Sequence, residues 1–135
     1  MLRAITIIAN EGYCPQPYIV EEIEGRKISR RRDFITRLKP ETFELIKEGL
    51  FNVVNDPTGT GLYAKIEGVN VSGKTGTAQS GAGNRTHAWF VGYMPSEDPK
   101  VSFVVFIEHG GKGGLDSAKI ARIMATYLKE NGYLD

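Results

Sequence analysis

The chain has 135 residues, of which 41% are hydrophobic and 24% charged, the balance of one folded domain rather than a disordered tail. Seventeen basic residues against sixteen acidic ones leave a net charge of +1, which lacks the positive footprint of a general nucleic-acid binder. Cys14 is the single cysteine, so neither a disulfide framework nor a cysteine-based zinc site is available.

Leu2, Ile5, Ile8 and Ala9 fall on one stripe of a helix over 1–9, with Asn10 and Gly12 as its stop. A helix whose first turn coincides with residue 1 has nothing before it to supply a cap, so the chain reads as cut from a longer one. Pro15 and Pro17 force an extended stretch into a strand at Tyr18-Ile19-Val20. Glu24-Gly25 is the expected turn to a return strand through Lys27-Ile28-Ser29, making a charged, peripheral hairpin. The run Arg30-Arg31-Arg32 reads as a solvated strand end.

Lys39-Pro40-Glu41 opens a second helix, with proline at a tolerated first-turn position and Phe43, Ile46, Leu50 and Val53 as its buried stripe. Glu41 and Glu44 lie on its solvated face. The helix ends near Asn55-Asp56-Pro57, and 57–61 is a turn-rich connector. Beyond Tyr63 the period changes to two, so 64–66 and 69–77 are expected strands. Residues 86–94 alternate His87, Trp89, Val91 and Tyr93 with Ala88, Phe90, Gly92 and Met94 on the two faces of another. A return strand over 101–108, apolar on both faces, is expected to be central and covered. Residues 110–114 are four glycines around Lys112 and read as a loose break. A final helix starts near Asp116 and buries Ala118, Ala121, Met124 and Leu128. The expected class is α+β: an antiparallel sheet of about three strands with a peripheral hairpin, closed by a C-terminal helix.

The chemistry lies in 68–77. Gly68, Gly73, Lys74 and Thr75 satisfy the phosphate-loop pattern G-x-x-x-x-G-K-T. That motif needs a tight loop followed at once by a helix. Val69 and Val71 favour extended backbone instead, and three glycines in 76–83 argue against the helix. The alternative places Lys74-Thr75-Gly76-Thr77 on a strand lining a cleft. There the Lys74 ammonium supplies positive field for a carboxylate, and the Thr75 and Thr77 hydroxyls add hydrogen bonds. Gly76, without a Cβ, lets a ligand lie against the backbone, and an outward Thr77 amide serves as one oxyanion donor.

Lys-Thr-Gly is one of three motifs of the serine penicillin-binding proteins and related β-lactamases. Around it stand His87-Ala88-Trp89-Phe90-Val91-Gly92-Tyr93, Pro95, a returning strand, a double-glycine loop and a last helix. Upstream are Met1-Leu2-Arg3-Ala4, Ile8-Ala9-Asn10, Gln16-Pro17-Tyr18, Gly49 and Pro57-Thr58-Gly59-Thr60-Gly61. In this order the elements resemble the C-terminal part of the transpeptidase domain of class B, elongation-type penicillin-binding proteins. The resemblance implies a serine D,D-transpeptidase that cross-links peptidoglycan stem peptides, is trapped by β-lactams and uses no metal or organic cofactor. It also implies a parent anchored to the outer face of the cytoplasmic membrane. Lys74 and Thr77 are the implied catalytic contributors, and Lys74, Thr75, Gly76 and Thr77 the implied substrate-binding residues.

The family's Ser-x-x-Lys and Ser-x-Asn motifs are missing. Ser29, Ser72, Ser80, Ser96, Ser102 and Ser117 are followed three places on by Arg32, Thr75, Gly83, Pro99, Val105 and Ile120, and no serine precedes an asparagine by two. The chain is therefore expected to be a fragment, inactive alone and prone to self-association through the strand edge that absent strands would cover. A non-catalytic binding module and part of a serine β-lactamase or β-lactam sensor are the alternatives. His87 is expected to be structural or to line the cleft, Gln79 to be a turn residue or a substrate contact, and Trp89 and Tyr93 to lie on sheet faces.

Overall fold

The computed structural model describes residues 1–29, 31–79 and 85–135; Arg30 and the glycine-rich bend at 80–84 lie outside the described residues. Helix α1 (Leu2–Ala9) buries Ile5 and Ala9, two of its four stripe positions. Strand β1 (Tyr13–Pro15) follows, then β2 (Glu22–Ile23), β3 (Arg26–Lys27) and β4 (Arg32–Phe34). The hairpin β2–β3 turns at Glu24-Gly25 as expected, and both turn residues have positive φ, the geometry that matches strand twist in a two-residue loop. Its strands are two residues each, and Tyr18-Ile19-Val20 is not a strand. Pro17 precedes that stretch, and among the described residues it joins none of the sheets. The extended pairing is instead between β1 and β4, where Arg32 stacks over the Tyr13 ring and Tyr13 meets Phe34. Arg31 and Arg32 are exposed and Arg32 opens β4, the solvated strand end expected of that run.

Helix α2 (Pro40–Asn55) buries Phe43, Leu50 and Val54, with Glu41 and Glu44 exposed. Residues 64–66 are not a strand: Leu62–Ala64 form a single 3-10 turn that inserts fully buried Ala64 into the core. Strands β5 (Ser72–Gln79), β6 (Thr86–Met94) and β7 (Val101–Ile107) make an antiparallel sheet in the order β5-β6-β7. Helix α3 (Asp116–Glu130) packs across β6 and β7. Asp116 is its first residue, and Leu115 stands at the cap position.

The alternation in β6 sorts two cores. Phe90 and Met94 pack with Phe103, Val105, Ala118 and Ala121 beneath α3. Val91 and Tyr93 pack with Ile5, Ala9 and Leu50 beneath α1 and α2 on the other face. Strand β7 is apolar on both faces because α3 covers one and α1 the other. It is nonetheless the edge of the sheet among the described residues, which corrects the central place read from its two apolar faces and agrees with the open edge expected of a chain without the family's flanking strands. Side-chain periodicity reports which faces are covered and is blind to whether the hydrogen-bonding edge has a neighbour. The last inward positions lose their cover, so Phe106 is 47% exposed against Trp89 at 4.4 Å between ring centroids.

Candidate active-site strand

Strand β5 carries Lys74-Thr75-Gly76-Thr77, and the segment from Gly68 does not coil into a phosphate loop. Its register determines where each residue points. Thr86 O accepts from Gly111 N at 3.2 Å and Met94 O from Lys100 N at 3.0 Å, so even-numbered residues of β6 turn their main chain toward β7. His87, Trp89, Val91 and Tyr93 therefore turn theirs toward β5, opposite Ala78, Gly76, Lys74 and Ser72. The N–H and C=O groups of Gly73, Thr75, Thr77 and Gln79 consequently point away from β6. Two bonds agree: Val71 O, in the same phase, accepts from Asn55 Nδ2 at 3.0 Å, and Thr75 O accepts from Lys74 Nζ at 2.8 Å.

Side chains obey the same alternation. Lys74 stands opposite Val91 and leaves the face beneath α1 and α2, whereas Thr75 and Thr77 stand opposite Phe90 and Ala88 and leave the face beneath α3. The lysine and the threonines thus meet only around the outer edge of the strand. The exposed ammonium reaches that edge by folding onto Thr75 O. One rim then combines a positive charge with the outward main chain of Thr75 and Thr77.

The threonines are braced from outside the strand. Thr75 Oγ1 lies 3.0 Å from Thr60 Oγ1, and Gly113 N donates to Thr77 Oγ1 at 3.3 Å. The 110–114 stretch is therefore no loose turn. A Cβ built on Gly113 runs into Gly76 O and, at 2.6 Å, Trp89 O, so this glycine lies flat on the β5–β6 ladder. Gly76 itself has ordinary room, with Trp89 Cβ at 3.4 Å from a built Cβ. Sequence reasoning missed both braces. The glycine spacing was visible in 57–61 and 110–114, but it marked close approach as much as freedom.

At the base of β5, Ser72 Oγ donates to Ser96 Oγ at 2.8 Å, and the fully buried Tyr93 ring lies alongside. Burial pushes the Tyr93 phenol above its ordinary range; the Ser72 hydroxyl tempers the shift but makes no hydrogen bond of ordinary geometry to it. In the connector, Thr58 donates its hydroxyl and amide to the exposed Asp56 carboxylate at 2.6 and 2.7 Å, which holds that acid below its usual range. Gln79 ends β5 opposite Thr86, in strand rather than turn. His87 accepts from His109 N through Nδ1 at 3.2 Å, and the two imidazoles stack at 5.0 Å, a structural arrangement that ties β6 to the end of β7. One concavity away from β5 is lined by Leu2, Thr6, Pro15 and Arg32. Among the described residues, β5 offers its outer edge as one wall.

Comparison with known proteins gives this wall a family. A model of the penicillin binding protein transpeptidase domain matches residues 1–126. Peptidoglycan D,D-transpeptidase MrdA of Haemophilus influenzae is 34% identical over 149 residues, covering 95% of this chain and 23% of that protein. Peptidoglycan D,D-transpeptidase PbpA of Mycolicibacterium smegmatis is 32% identical, with 91% of this chain and 27% of that protein covered. Among solved structures, the D,D-transpeptidase domain of a peptidoglycan glycosyltransferase from Eggerthella lenta superposes with a TM-score of 0.76 at 34% identity, over 98% of this chain and 32% of that one. A Helicobacter pylori penicillin-binding protein in complex with MreC gives a TM-score of 0.80 at 27% identity, over 98% of this chain and 24% of that one. The chain spans about a quarter of the length of the curated relatives it matches. On its sequence and its fold together, the chain belongs to the penicillin-binding protein transpeptidase family.

Proposed function

We propose that this chain is the Lys-Thr-Gly portion of a peptidoglycan D,D-transpeptidase, working in a longer protein whose other segments supply the Ser-x-x-Lys nucleophile and the Ser-x-Asn motif. The observation that carries the reading is the rim on β5, where the Lys74 ammonium lies on Thr75 O beside the outward main chain of Thr75 and Thr77. Such an edge receives an extended peptide as an added strand. The ammonium draws in the terminal carboxylate of a stem peptide, and the threonine hydroxyls hold it. The serine attacks the penultimate D-alanine carbonyl, and Thr77 N–H is one donor to the developing oxyanion, a contribution worth about 3 kcal/mol of transition-state stabilisation. Collapse of that intermediate expels D-alanine, and the acyl group passes to an amine of a second strand. A β-lactam carries a carboxylate at the corresponding place and leaves the serine acylated. Such an enzyme works on the outer face of the cytoplasmic membrane, where its substrate is, and the complete protein would be anchored there.

Two outcomes test the proposal on the 135-residue chain itself. Incubated with labelled penicillin, it forms no covalent adduct by mass spectrometry, because acylation needs an activated nucleophile with its base. A stable adduct overturns the assignment of the serine to another segment. In the complete protein a lasting penicilloyl adduct is expected, and rapid hydrolysis of it would indicate a β-lactamase instead. Sedimentation at rising concentration is expected to show self-association of the isolated chain, since among the described residues β7 has an unpaired edge beside exposed Phe106. A monomer throughout the range refutes that part.

A further inference from the structure

The hydroxyls of both threonines of the strand meet groups delivered by neighbouring loops. The 56–61 connector is held firmly. Asp56 takes both donors of Thr58, Gly59 N donates to Asp56 O at 2.9 Å, and Gly61 N donates to Val53 O at 2.8 Å at the end of α2. This fixes Thr60 so that its hydroxyl lies 3.0 Å from that of Thr75. From the other side, a Cβ built on Gly114 would come within 2.6 Å of Thr60 O, so the 110–114 loop presses on the same residue. That loop also delivers Gly113 N–H to Thr77 Oγ1 at 3.3 Å.

The direction of these bonds matters. The Gly113 amide can only donate, so Thr77 Oγ1 accepts from it and keeps its own proton for another partner. Between Thr60 and Thr75 either oxygen can donate. Were Thr75 the donor, its lone pairs would face the ligand and repel an anion. With Thr60 as donor, Thr75 keeps its proton free, and each bond in the chain strengthens the next.

Resting on the reading of β5 as a carboxylate-binding strand, we propose that Thr60 is a positioning residue for substrate recognition. It donates to Thr75 Oγ1 and so turns Thr75 into a hydrogen-bond donor toward the ligand carboxylate. Thr60 reaches the substrate only through Thr75.

The test compares acylation of the complete protein by benzylpenicillin and by its methyl ester, which lacks the carboxylate charge. Thr60→Val is expected to slow acylation by the free acid roughly ten- to 150-fold, the loss of one hydrogen bond to a charged group, and to change the ester rate little. Thr60→Ser retains the unsubstituted rates. In a Thr75→Val background, Thr60→Val adds no further loss. Unsubstituted rates for Thr60→Val on both compounds, or equal losses on both, overturn the inference while leaving the transpeptidase reading standing. Failure of the unsubstituted complete protein to be acylated at all overturns that reading and this inference with it.

Discussion

Replacing Lys74 by alanine in the complete protein is expected to lower the second-order rate of acylation by benzylpenicillin roughly 100-fold or more, with no matching loss of thermal stability. The two halves of this expectation have separate grounds. Lys74 is exposed, and among the described residues its ammonium has no carboxylate partner; it donates to the neighbouring Thr75 O alone. Truncating a solvated side chain of that kind shifts folding stability by no more than about 0.5 kcal/mol. The same ammonium would be the one formal charge on the β5 rim facing an incoming carboxylate. In a closed cleft, with water excluded, a charge–charge contact is far stronger than at an open surface.

Lys74→Arg is expected to recover only part of the rate, because a broad planar guanidinium cannot fold back onto Thr75 O as a compact ammonium does. If Lys74→Ala acylates at the unsubstituted rate while melting normally, the rim is not where the carboxylate binds. If it unfolds instead, the described geometry of an exposed side chain is wrong.

The parts that could be read in the amino-acid sequence are those where one periodicity decides. Strand β6 was expected over the residues it occupies, because nine alternating positions face two different cores. Helix α2 begins beside Pro40 and stops before Pro57 because proline constrains both boundaries. The short ribbon of β1 and β4 was hidden because strands of three residues are too short to show an alternation. A strand was expected over 64–66, and the 3-10 turn Leu62–Ala64 was missed because one turn is too short to show a helical period. For β7 the residues report two covered faces and say nothing of the edge.

The same limit applies to the candidate site. Lys74 and the threonines were legible as residue types suited to a carboxylate, and so was a strand through them, although it runs over Ser72–Gln79 and leaves Val69 and Val71, which placed it at 69–77, outside. Their division between opposite faces follows from the period of two and was derivable. The braces at Thr60 and Gly113 were not, since 15 residues separate Thr60 from Thr75 and 36 separate Gly113 from Thr77. A glycine that bends freely and a glycine pressed against another strand are the same letter.

Gly113 distinguishes those two roles by experiment. Gly113→Ala is expected to destabilise the fold by at least about 2 kcal/mol, lowering Tm by roughly 8 °C. The new methyl group would overlap Gly76 O and Trp89 O, both main-chain atoms of the β5–β6 ladder, so no rotamer change can relieve it. Either the loop lifts, which breaks the Gly113 N–H bond to Thr77 Oγ1, or the ladder bends beneath the motif. Both routes disturb Thr77, so acylation of the complete protein falls along with stability. Gly49→Ala is the control: it lies in α2 with open space at its Cβ, and alanine there should add up to about 1 kcal/mol through helix propensity alone. Gly76→Ala separates packing from ligand access. Its Cβ meets Trp89 Cβ at an ordinary 3.4 Å, so the variant should melt close to the unsubstituted protein, whereas acylation drops because the methyl group obstructs close approach to the strand. If Gly113→Ala melts as Gly49→Ala does, the 110–114 loop is not seated on the ladder, and the bracing of Thr77 falls with it.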